Sequence, residues 1–222
     1  MIEVGTQTPK KRKQVWQHKE ILLSARKQLS KVLNRCCCVI VGTMTIILGI
    51  DPGSRVTGYG VIRAESQRLH YIDSGCVVTD TATLADRLVQ VHQGISQLVE
   101  KYSPQQAAIE QVFMKRFVDA ALKLGHARGV AMVAVASAAI PIAEYSPRQI
   151  KQAVVGYGAA DKVQVQDMVK RLLGLVKTPQ SDAADALAVA ICHANTTQSQ
   201  TYYDKARNRH IAEKKTAAVM SL

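Results

Sequence analysis

No stretch of this 222-residue chain comes near 18 consecutive apolar residues, so no membrane-spanning helix is expected. Cysteine is scarce and poorly spaced for cross-linking. Cys36, Cys37 and Cys38 are adjacent, while Cys76 and Cys192 stand apart. That spacing gives neither a disulfide framework nor a zinc pattern. Apolar residues make up 47% of the chain, enough for a core without staples, and a reducing cytoplasm suits such a protein. The leading basic run resembles a signal peptide only loosely. The apolar stretch from Cys36 to Val41 is short, and no small-residue cleavage pattern stands out. No internal repeat is visible.

Positive charge is what the chain has in excess, and it is uneven. The formal net charge is +12. Residues 1–43 hold nine Lys or Arg against two Glu, and the other 179 residues hold twenty basic against fifteen acidic groups. A basic chain can meet nucleic acid or an acidic membrane surface. The leading segment contains "TPKKRKQVWQHKE" and a possible helix from Ile21 to Leu33. Lys10 to Lys13 suit a phosphate-binding arm or a solvated tail. Met44 directly precedes a strand that would open a domain. We therefore expect residues 1–43 to be a basic N-terminal extension outside the functional domain, and outside the working protein if they are an upstream translation. Residues 44–197 would form the domain and 198–222 a polar tail that frays.

Periodicity outlines that domain. Ile46 to Ile50 is wholly apolar and predicts a buried strand, closed by the turn "DPGS". Thr57 to Arg63 and Leu69 to Val78 predict two more strands in an antiparallel meander. Leu84, Leu88, Val91, Ile95, Leu98 and Val99 recur at helical spacing and predict a helix to Tyr102. A strand at Ala107 to Glu110, a helix over 119–139 and a strand at Ile142 to Tyr145 follow. Helices are expected over Pro147 to Val154, Asp161 to Leu173 and Asp182 to Ala194. The order implies an α/β domain on a mixed five-stranded sheet.

Four carboxylates fall at element ends. Asp51 ends the first strand and Glu110 the fourth. Asp182 and Asp185 are three apart on a helix and share a face. Ala183, Ala184 and Ala186 are small enough to let that helix lie close to the sheet. If the two strands are parallel neighbours, all four acids converge. Converged carboxylates repel, and divalent metal relieves the repulsion. Oxygen ligands favour magnesium, with manganese as a substitute, over zinc. Two such ions would suit phosphodiester cleavage. The same residues also suit plainer roles. Asp51 before Pro52 and Gly53 can start a turn, and Asp182 with Asp185 can cap a helix.

Longer motifs carry a resemblance. "GIDPGSRVTGYGVI", "AIEQVFM", "ALKLGHARGV", "QIKQAVVGYGAADKVQVQDMV" and "DAADALAVAI" occur in order over residues 46–197. Together they resemble the RuvC family of crossover-junction endodeoxyribonucleases. The first motif alone is shared with actin-like and sugar-kinase ATPases, but this body is too short for their duplicated domain. The resemblance implies a ribonuclease H-like fold, a homodimer and symmetric nicking of four-way DNA junctions in two strands of like polarity. It also implies partnership with the RuvA–RuvB branch-migration complex. Asp51, Glu110, Asp182 and Asp185 match the family's catalytic acids. Phe113 matches an aromatic set against bases near the junction centre. Lys151 and Lys162 match basic residues near the scissile phosphate. In "MKRFVD", Arg116 keeps a positive charge for DNA, while Phe117 departs from the familiar polar residue.

Other residues carry two readings. Phe113, one of two phenylalanines, can fill a core or stack on an unpaired base. Lys151 and Lys162 bracket a glycine-containing loop that can be a solvated connection or lie on DNA. Arg148 and Lys170 can extend that surface. His126 and His193 read as structural or surface residues. Leu122, Gly125 and Gly129 lie on a helix face that can pack against a second copy. A ribonuclease acting on RNA–DNA hybrids and a non-catalytic junction-binding protein are the competing functions.

Overall fold

The structure, a computed structural model, describes residues 44–220 apart from Gln67, Thr81, Ala82 and residues 113–117. The expected extension over residues 1–43, with its helix from Ile21 to Leu33, lies outside the described residues, as do Phe113, Arg116 and Phe117. Five strands form one sheet: β1 (Met44–Asp51), β2 (Val56–Glu65), β3 (Arg68–Val78), β4 (Gln106–Glu110) and β5 (Ile142–Tyr145). Their spatial order is β3-β2-β1-β4-β5. β1, β2 and β3 form the antiparallel meander, and β1, β4 and β5 run parallel. The mixed five-stranded sheet is thus the one expected.

Helices cover both faces. α1 (Leu84–Tyr102) and α2 (Val118–Ser137) pack on one side, against Leu48, Ile50, Val61, Ala107 and Ile109. On the other side lie α3 (Pro147–Val155), α4 (Lys162–Leu172) and α5 (Ser181–Met220), against Ile47, Ile62 and Ala108. Strand neighbours fall in opposite cores because side chains alternate across a sheet. Local chemistry sets the helix starts. Ser146 and Gln149 form a capping box on α3, and Asp161 and Gln164 form one on α4. Gly156 closes α3 at φ 97°, a conformation that favours glycine.

One expectation fails. The last helix does not end at Ala194 with a fraying tail over 198–222, as expected, but continues to Met220. From Ser181 onward the sequence holds no glycine or proline to stop it. Thr196 and Thr197 return their hydroxyls to the carbonyls of Cys192 and His193, so polar composition there does not end the helix. Among the described residues no helix is long and apolar enough to cross a membrane.

Candidate metal centre

Alternation along the strands decides which acids can meet. Ile47 packs toward α5, whereas Leu48 and Ile50 pack toward α1 and α2. Asp51 is in step with Ile47, so it projects on the α5 face. Glu110 is likewise in step with Ala108, which also faces α5. β1 and β4 are parallel neighbours with Ile50 opposite Ile109. Asp51 and Glu110 therefore leave the sheet side by side at one edge.

The third and fourth acids arrive with α5. Three glycines, Gly49, Gly58 and Gly60, let the helix backbone touch the sheet. A Cβ at Gly49 would fall 2.2 Å from the Ala186 carbonyl oxygen, and one at Gly58 would fall 2.1 Å from that of Asp182. Gly58 lies opposite Asp51 on β2. The sheet thus sets Asp182 and Asp185 over Asp51, helped by buried Ala183, Ala184 and Ala186. One carboxylate oxygen each from Asp51, Asp182 and Asp185 lies within 4.8 Å of the others. Glu110 stands outside that triple and shares a hydrogen bond with Asp51. A shallow cleft beside them is lined by Pro52, Gln111, Val112, Leu124 and Pro147.

Crowding shows in the proton affinities. Burial, then the Glu110, Asp185 and Asp182 carboxylates, push Asp51 up to about 8. Burial and then Asp185 also raise Glu110, while the hydrogen bond from Asp51, then Lys151 and Lys162, oppose this. The Asp51–Glu110 pair therefore holds a proton more tightly than ordinary carboxylates do. Three hard oxygen donors that repel one another fit a hard divalent cation.

Two of the basic residues predicted to bind DNA, Lys162 and Lys151, lie close enough to act on the acids. Lys162 Nζ lies 2.8 Å from Asp185 Oδ2, and this contact raises the lysine's proton affinity. Lys162 opens α4, with Asp161 as its N-cap. Lys151, on α3, acts on Glu110 through its charge. Arg148 is exposed and its side chain lies across Gly158 in the α3–α4 loop. Lys170 lies in the last turn of α4. His126 is exposed on α2. His193 is buried and structural: its Nε2 donates to Gln106 at 3.0 Å and its Nδ1 accepts from the Tyr145 hydroxyl at 2.9 Å. Burial lowers its proton affinity.

Two residues near the site escaped the sequence reading. Cys76 lies opposite Gly58 on β3, and its thiol donates to Gln180 Oε1 at 3.5 Å. Burial and then the Asp182 carboxylate raise its proton affinity. Its nearness to Asp51 is a matter of strand register, which an isolated cysteine in a sequence does not reveal. Arg128, on α2, reaches the end of β4 and donates to the Glu110 carbonyl oxygen at 3.2 Å. Its guanidinium also pairs with the Glu144 carboxylate.

Comparison with known proteins agrees with this geometry. The sequence profile of the family described as crossover junction endodeoxyribonuclease RuvC matches residues 47–193. The crossover junction endodeoxyribonuclease RuvC of Tolumonas auensis is 59% identical over 156 residues, 70% of this chain and 90% of that protein. The protein of the same name from Legionella pneumophila strain Corby is 61% identical over 153 residues, 68% and 88% of the two chains. Among solved structures, Thermus thermophilus RuvC in complex with Holliday junction substrate superimposes with a TM-score of 0.67 at 33% identity, over 71% of this chain and 97% of that one. The ribonuclease H-like fold is therefore shared with these proteins, and the chain belongs to the RuvC family of crossover junction endodeoxyribonucleases.

Proposed function

We propose that this protein resolves four-way DNA junctions in recombination and repair by magnesium-dependent nicks in two strands of like polarity. Within the family frame, the convergence of Asp51, Asp182 and Asp185 over one sheet edge is the observation that carries this reading. These three carboxylates, with Glu110 beside them, hold the metal, two ions per site. Bound divalent metal supplies water activation and stabilises the departing 3′ oxygen. The chain's own residues do the rest. Asp51 would hold the metal in its deprotonated form. Lys162 leaves Asp185 and turns its ammonium to a phosphate oxygen, helped by the N-terminus of α4. Lys151 adds a second phosphate contact, Arg116 adds positive charge for DNA, and Phe113 stacks on a base near the junction centre, as the family resemblance implies.

The working unit is a homodimer. Leu122 and Val133 are 56% and 57% exposed on α2, and around Gly125 and Gly129 nothing lies within 4 Å of a Cβ position. That face supports a close two-fold contact, which would align two sites with two strands. Contact with a RuvA–RuvB branch-migration complex and a cytoplasmic location follow from the same family reading. The test compares a labelled mobile four-way junction, linear duplex and RNA–DNA hybrid, with magnesium and with chelator. Paired nicks in the junction alone, lost in chelator, are expected. Preference for the hybrid, or binding without cutting, overturns the reading. In the same assay Asp51→Asn, Asp182→Asn and Asp185→Asn are expected to bind the junction yet nearly abolish nicking. Near-normal cutting by two of these variants removes the metal assignment.

A further inference from the structure

We propose that Arg128 is a positioning residue for the metal site, holding the Glu110 end of β4 against β5. The inference rests on the nuclease reading above.

Glu110 occupies an awkward place. It is the last residue of β4, and the β1–β4 pairing already ends at Ile50 and Ile109. On the other side Glu110 lies opposite Tyr145, and the Gln111 N–H donates to the Tyr145 carbonyl oxygen at 2.8 Å. The chain then leaves the sheet. A terminal residue paired on one side only is free to swing. Its carboxylate nevertheless has to stay beside Asp51.

Arg128 supplies the missing restraint from the opposite face of the sheet. Its Nε donates to the Glu110 backbone oxygen at 3.2 Å. Another guanidinium nitrogen pairs with the carboxylate of Glu144. Glu144 lies on β5 opposite Ile109, so it shares the α2 face with that residue. One planar fork thus spans the ends of two adjacent strands. Gripping the backbone carbonyl leaves the Glu110 side chain free to face α5 and the other acids. The Arg128 and Glu144 side chains remain 21% and 42% exposed, and partly exposed ion pairs stabilise a fold only weakly. Their main effect is therefore on geometry. A lysine can satisfy one of the two acceptors but lacks the fixed fork.

The test uses the full chain as wild type and as Arg128→Gln, Arg128→Lys and Glu144→Gln. Single-turnover cutting of a four-way junction is measured at saturating protein over a magnesium titration. Manganese binding is followed by calorimetry without DNA, junction affinity by gel shift in chelator, and folding by melting curves. For Arg128→Gln the expected loss is about 10–100-fold in single-turnover rate or manganese affinity, as for other groups that orient a metal ligand. Junction affinity and melting temperature should stay near wild type. Arg128→Lys should recover part of the loss, and Glu144→Gln, which keeps a neutral acceptor, should lose less. Wild-type rate and manganese affinity in Arg128→Gln overturn the proposal. So does a loss that Arg128→Lys repeats in full, or one that follows a matching fall in melting temperature. A wild-type chain that leaves junctions intact overturns the nuclease reading instead, and manganese calorimetry on the variants still decides the role of Arg128.

Discussion

Asp51 is the residue on which fold and chemistry conflict. It ends an apolar strand, three carboxylates crowd it, and together with burial they push it up to about 8. A folded-state value raised above the unfolded one means that the native protein binds the proton more tightly. The stability linked to that proton is fully present below about 3.8, the ordinary aspartate value, and is lost as pH rises through about 8. Metal-free protein should therefore melt progressively lower as pH rises across this window. Asp51→Asn carries no such proton, so its melting temperature should exceed wild type by a margin that grows toward pH 8 and above. Divalent metal should narrow the gap by neutralising the wild-type site. Melting curves from pH 5 to 9, with chelator and with manganese, check this, and a margin that does not vary with pH contradicts it. Asp51 was legible in the sequence because a charge ending an apolar strand is conspicuous. Arg128 was not, because its two acceptors lie on two strands that only the fold brings together.

At the scale of elements, hydrophobic period located the strands and most helices within a residue or two. β5 and α1 match their expected ranges, since alternation and 3.6-residue spacing are written in the side chains themselves. The length of α5 is less legible, because a polar composition suggests a stop although no glycine or proline stands there. The seating of α5 was half legible. Its alanines were visible, but the glycines facing them lie on β1 and β2 and acquire meaning only through register. Gly58→Ala tests that seating. Its new Cβ would meet the Asp182 carbonyl at 2.1 Å, and a backbone atom cannot turn aside as a flexible side chain can. The start of α5 has to lift, carrying Asp182 and Asp185 with it. We expect a destabilisation of about 1–3 kcal/mol, typical of overpacking, together with weaker manganese binding. Calorimetry and denaturant unfolding on the same preparation measure both. Retention of wild-type manganese affinity would mean that the acids tolerate a displaced helix.

For the whole molecule the open matters are what surrounds the domain and how copies of it associate. The family match spans residues 47–193, so the basic first 43 residues lie before it. A protein beginning at Met44 is expected to fold and to cut junctions in magnesium. Losing nine basic groups should weaken its non-specific DNA binding chiefly at low salt, where released counterions matter most. Loss of junction cutting by the shortened protein would make the extension functional. Association is argued from α2. Its buried side holds Ala127, Ala131, Ala134 and Val135, while Leu122, Gly125 and Val133 stay exposed on the outer side. A helix apolar on both sides calls for a second partner surface. Gly125→Arg places a long charged side chain where a Cβ meets nothing in the single chain, so the fold itself has no reason to suffer. In a two-fold contact the same arginine meets its own copy. Sedimentation should then show monomers for the variant and dimers for wild type at the same concentration. Each monomer keeps a complete set of acids, so single nicks should persist while paired nicks within one junction are lost. A variant that remains dimeric, or a wild type that is monomeric, removes α2 as the dimer surface.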